Sequence, residues 1–135
     1  MGFPKAKATS ILKAVFNTGN KIALLTSGGE VSGSKKTNGY ERYTIEGSDF
    51  SVIDGVATTN DNILFGLATE SWGTIVGFEV YSGSGLEYTA ELKEPKTVGA
   101  NTVPVFKVWD EGKQEGIRVT LDVETAATAS VSETN

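Results

Sequence analysis

The chain has 135 residues, a formal net charge of -5, no cysteine and no histidine. This composition excludes disulfides, thiol catalysis and cysteine-ligated zinc, and it removes histidine triads, most zinc and iron sites and the usual general base near neutral pH. The acidic balance argues against a nucleic-acid partner, and the length predicts a single domain, 1–135, with a real core.

Residues 4–17 read as the one helix. Ala8, Ile11, Leu12, Val15 and Phe16 form an amphipathic stripe, Pro4 suits the first turn, and Gly19 offers a left-handed cap. Such a helix covers one face or end of a sheet; the alternative is an arm gripping a neighbouring subunit. Lys21 to Thr26 is a short, nearly continuous apolar strand, expected to be buried on both faces. Ser27 to Gly39 is a long polar loop, of a length that is usually functional or mobile. Its Lys35-Lys36 pair is too small for a nucleic-acid patch and reads as a solvated tip. Tyr40 to Ile45 follows as a strand with Tyr43 and Ile45 inward and Arg42 and Thr44 outward, then a turn over Glu46 to Asp49. Phe50 to Ile53 and Val56 to Thr59 form a hairpin about Asp54-Gly55, a strong turn signal. Asn60-Asp61-Asn62 is a turn without the spacing of a calcium loop. Ile63 to Ala68 reads as a buried strand leading into Trp72.

The next stretch, Glu70 to Thr102, organises the chain. Its first strand is expected to turn Thr74, Val76, Phe78 and Val80 to one face. Ser82-Gly83-Ser84-Gly85 is a tight turn, and the return strand alternates Leu86, Tyr88, Ala90 and Leu92 against Glu87, Thr89, Glu91 and Lys93. A proline-broken turn is expected at Pro95. Val103 to Trp109 is a strand, Asp110 to Gly116 a charged turn, and Ile117, Val119, Leu121 and Val123 alternate cleanly on a last strand. Residues 125–135 are small, polar and unpatterned, a tail or arm that orders only on docking, as residues 1–7 are expected to do. The sum is about eight short strands after one helix: an all-β fold, a β-sandwich or jelly roll over 21–124.

No apolar run approaches the roughly 18 residues of a membrane helix, and MGFPKAKATS lacks the apolar centre of a signal peptide. No membrane contact is expected. Glu87 and Glu91 lie on the solvent face of one strand, and no serine or threonine has a base partner. No glycine-rich segment opens a helix or ends in a phosphate-binding lysine. The chain reads as non-enzymatic, with no catalytic residue, metal or cofactor. Among the aromatics, Phe78, Tyr88 and Phe106 fit core positions. Trp72 is expected to plug the core between Leu67 and the hairpin; a sugar-binding platform would instead expose it. Tyr81 and Trp109, at strand ends beside polar turns, are candidate interface residues, together with Lys35, Lys36 and Val131.

Several segments carry a resemblance. They are Glu30-Val31-Ser32-Gly33, Gly39-Tyr40-Glu41-Arg42, Ala68 to Ile75 (ATESWGTI), Gly85-Leu86, Pro95-Lys96-Thr97-Val98 and the terminal Ile117-x-Val119-x-Leu121. With these the chain resembles a family of small tailed-bacteriophage virion proteins often described as tail fibre proteins, from about Lys5 to Val123. It departs in the longer SGSKKTNG loop, the longer DEGKQEG turn, and Asn101 where an aspartate is common. The resemblance implies a structural component of the virion, assembled in the host cytoplasm beside major capsid or tail proteins. A capsid decoration, cement or head-fibre role is the first expectation and a tail-fibre role the second. A homo-oligomer such as a trimer is expected, because repeated virion sites present rotational symmetry. A carbohydrate-binding module is the reading from a different class.

Overall fold

The computed structural model describes residues 4–121 and 129–131. It is an all-β domain with one N-terminal helix, its strands arranged in three antiparallel sheets. The helix, α1 (Lys5–Val15), starts at Pro4 and buries Ala8, Leu12 and Val15 on the expected stripe. Helical order from Lys5 places part of the anticipated N-terminal arm in the fold. Gly19 is not the cap. Its N–H donates to the Ile45 carbonyl (2.9 Å), while the buried Asn20 amide donates to the Ala14 and Val15 carbonyls at 3.1 and 2.9 Å. A side-chain amide thus takes over the orphan carbonyls of the last turn.

The first sheet runs β2 (Gly29–Glu30), β1 (Lys21–Thr26), β7 (Gly73–Ser82), β8 (Gly85–Val98), with β3 (Tyr43–Thr44) also paired to β1. Ile22, Ala23 and Leu24 are buried in succession, so β1 is covered on both faces as its apolar run requires. The second sheet runs β11 (Ala129–Val131), β10 (Arg118–Leu121), β5 (Val56–Thr59), β4 (Phe50–Ile53). Asp54 and Gly55 have φ of 51° and 80°, the pair of positive angles that a type I′ hairpin turn demands. The Gly55 N–H donates to Thr9 Oγ1 (2.7 Å) and so clips the hairpin to the helix. The third sheet is a short ribbon of β6 (Ile63–Leu64) and β9 (Val105–Phe106).

One apolar cluster joins α1 to all three sheets. Phe16 stacks on Phe50 with centroids 4.4 Å apart, and Phe78 meets Phe106 edge-on at 5.7 Å. Burying each such side chain contributes about 1.5–3 kcal/mol, which the polar loops alone could not supply.

Four expectations need correction. In β7 the inward face is Ile75, then Phe78 and Val80, with Thr74 exposed and Val76 half-buried. A bulge changes the phase there: Val76 alone stands opposite Leu92, Lys93, Glu94 and Pro95 of β8. Pro95 consequently sits in that bulge within β8 instead of ending the strand. The stretch from Ile63 to Ala68 is not wholly buried, since Leu64 and Leu67 are 55% and 51% exposed, and only two of its residues are strand. Lastly, Ala129–Val131 of the expected tail pairs with β10, Val131 lying opposite Val119, because a strand edge offers backbone partners that composition does not reveal. Val123 and the remainder of the tail lie outside the described residues, as do residues 1–3.

Candidate functional site

The densest polar arrangement lies at one end of the first sheet. The Glu30 carboxylate accepts two bonds from Arg42, Nε at 2.9 Å and Nη2 at 2.8 Å, in the fork geometry that suits guanidinium and carboxylate. The Tyr40 hydroxyl donates to Glu30 Oε2 (2.6 Å) and accepts the Leu24 N–H (3.1 Å). Arg42 and, less strongly, Tyr40 hold the Glu30 carboxyl below the usual carboxylate range, against the opposing effect of partial burial. Burial, followed by the neighbouring Glu30, pushes the Tyr40 hydroxyl above the ordinary tyrosine range. Arg42 also lies 4.1 Å from the Tyr81 ring centroid, a cation–π contact, and the Tyr81 hydroxyl donates to Glu79 Oε1 (2.8 Å).

A second node adjoins it. Asn38 is buried, and its Nδ2 donates to the Ser32 carbonyl (2.6 Å) while its Oδ1 accepts the Tyr40 N–H (3.0 Å). Its own carbonyl accepts the indole Nε1–H of Trp72 (2.8 Å) and the Thr69 N–H (3.0 Å). Gly39 follows with φ 84°, and a Cβ there would overlap the Leu67 carbonyl oxygen, so only glycine fits. The 27–39 loop is therefore a fastened structure, not a loose tip, and it contains a strand, β2.

Trp72 is 4% exposed, in line with its expected core role; its ring meets Tyr40 edge-on at 5.3 Å, while Leu67 is half-exposed. The Trp72 N–H donates to the Val98 carbonyl (2.9 Å). A sugar platform that needs Trp72 at the surface is incompatible with this placement.

The anticipated interface residues do not converge. Tyr81 is half-buried beneath Arg42 on the first sheet. Trp109 is half-buried, bonded through its N–H to the Thr59 carbonyl of β5 (3.0 Å) and through its indole to Glu111 (3.2 Å). Lys35 and Lys36 are exposed, and Lys35 pairs with Glu41 at 3.2 Å, a solvated contact worth about 0–1 kcal/mol. Of Val131 the backbone register alone is described. Asn38, Asn20 and Thr59 carry connections that the sequence reading did not single out. The buried Thr59 hydroxyl donates to the Lys107 carbonyl (2.8 Å) and accepts the Ile117 N–H (3.0 Å). The one available signal was for Asn38, which stands beside an obligatory glycine.

Chemically, this end of the sheet is internally bonded: the Glu30 carboxylate is held by both Arg42 and Tyr40. Among the described residues no group of three acidic, histidine or cysteine side chains is placed to hold a metal ion. Comparison with known protein families, with curated proteins and with solved structures finds no match.

Proposed function

We infer that the chain is a non-enzymatic structural subunit of a tailed-phage virion, carried on the capsid as a decoration, cement or head-fibre protein. We read its two larger sheets as the layers of a jelly-roll-like sandwich. The observation that carries the proposal is that the separated segments behind the phage resemblance touch in series. Glu30 of EVSG binds Tyr40 and Arg42 of GYER, Tyr40 packs on Trp72 of SWGT, and Trp72 bonds Val98 of PKTV. Motifs far apart in the chain that meet in space belong to one folded unit, which supports reading them together as a single signature. The capsid is preferred to the tail because a small all-β domain with open strand edges suits attachment in many copies to a repeating shell.

The test is location. Immunogold labelling of intact particles from a producing lysate should place the epitope over the head, in regular array. Label confined to the tail would move the assignment to the tail-fibre reading. A protein that copurifies with no particle would remove the virion reading altogether.

A further inference from the structure

A cavity of about 350 Å³ opens between the first sheet and the short ribbon. Its floor is apolar and well buried: Leu24, Ile75 and Leu92 from one side, Phe65 and Phe106 from the other. Its walls are unusual. They are runs of consecutive residues, Lys96 to Val98 of β8 and Thr102 to Lys107 through β9. Consecutive side chains in extended chain point to opposite faces. A cavity touched by every residue of a run is therefore walled by the edge of the chain and its backbone, not by one face of a sheet.

The sheet order agrees. Among the described residues β8 is the last strand of its sheet, and β9 pairs with β6 alone. Two chain edges thus flank one apolar trough. Val103 on the wall is 45% exposed. At the rim stand Lys96 and Lys107, and neither forms an ion pair among the described residues.

We propose that this trough binds an extended peptide strand of a partner protein, one with alternating apolar side chains and flanking carboxylates. Its backbone pairs with the outer edge of β8 over Lys96 to Val98, on which no described strand is hydrogen-bonded. Every second side chain enters the apolar floor. Its carboxylates meet Lys96 and Lys107, which contribute steering and register more than raw affinity. A small amphipathic anion could use the floor and the lysines but has no use for two backbone edges. The proposal does not depend on the virion reading.

The test uses the full chain and a capped heptapeptide of alternating valine and threonine with glutamate at each end, titrated by calorimetry. Expected is saturable one-to-one binding, weakened roughly tenfold when lysine replaces both glutamates. The Lys96→Gln/Lys107→Gln double variant should bind the two peptides alike. Methylating alternate backbone nitrogens of the peptide, tried in both phases, should abolish binding in at least one phase. Val103→Glu, at an exposed position, should lose binding with an unchanged melting temperature. Absence of binding would overturn the proposal. So would equal affinity of both methylated peptides, which would mark a site for apolar groups and not for a strand. A dimer by sedimentation equilibrium that neither binds the peptide nor dissociates in its presence would assign the trough to a second copy and overturn it too.

Discussion

Trp72 shows how much one side chain can join. It packs edge-on against Tyr40, donates its indole N–H to Asn38 and sits in the interior. Trp72→Ala should cost about 3–5 kcal/mol, chiefly through the cavity and with the loss of one of the two bonds to the Asn38 carbonyl, a large share of a total stability of about 5–15 kcal/mol. Tyr81→Ala should cost far less, because its cation–π contact with Arg42 lies at the solvated face of the sheet. Urea unfolding of the two variants checks the contrast, and equal losses would show that Arg42 depends on the Tyr81 ring far more than its geometry suggests. Tyr88 gives a prediction in pH. Burial alone pushes its hydroxyl up to about 12, from an unfolded value near 10. A raised tyrosine pKa means the folded state holds its proton longer than the unfolded state. The stabilisation is complete below about pH 10 and is lost as pH rises through the folded value. Tyr88→Phe cannot ionise, so it should match the parent near neutrality and outlast it in thermal melts near pH 11. A parallel decline of the two proteins with pH would reject burial as the cause.

At the scale of elements, local chemistry and long-range packing divide what was readable in the chain. The Asp54-Gly55 hairpin, the apolar β1 and the helix stripe were legible because each is written in a few adjacent residues. The bulge facing Val76 was not, since it is fixed by the register of the partner strand; beside it a Cβ on Gly77 would overlap the Ala90 carbonyl, a constraint equally invisible in the sequence. The fastening of the 27–39 loop was also hidden. A buried asparagine in a Gly-Ser-Lys stretch looks polar and mobile until the carbonyls it serves, Ser32 above all, are known. The tail gives the sharpest contrast, because small polar residues predict disorder, whereas pairing to β10 depends on an open edge elsewhere in the chain. Deleting residues 129–135 should therefore lower the melting temperature by several degrees, since it strips one side of the strand that carries the fully buried Val119. An arm that serves docking alone would leave the melting temperature unchanged and weaken only particle binding.

At the scale of the whole molecule, the question is what restrains so much strand edge from pairing between chains. The ribbon of β6 and β9 exposes Leu64, Val103 just before β9 is exposed too, and among the described residues β8 is a 14-residue edge strand. Long edges invite pairing between chains, and proteins restrain it with charge and bulges. Here β8 carries Glu87, Glu91, Lys93, Glu94 and Lys96 and is broken in register at Pro95. Those devices oppose indiscriminate stacking but leave room for one chosen neighbour. A subunit held at repeated sites on a particle would meet its own copies through a separate surface in rotational symmetry, where each copy gives and receives the same contact and the ring closes. The expectation is a closed homo-oligomer such as a trimer, seen by sedimentation equilibrium at micromolar concentration. Leu64→Glu, on the ribbon and outside the trough, should dissociate it without unfolding the monomer, because that side chain is 55% exposed. A monomer at every concentration, together with no contact to a neighbour in a reconstruction of the particle, would defeat the assembly reading and with it the reason for placing this chain on a shell.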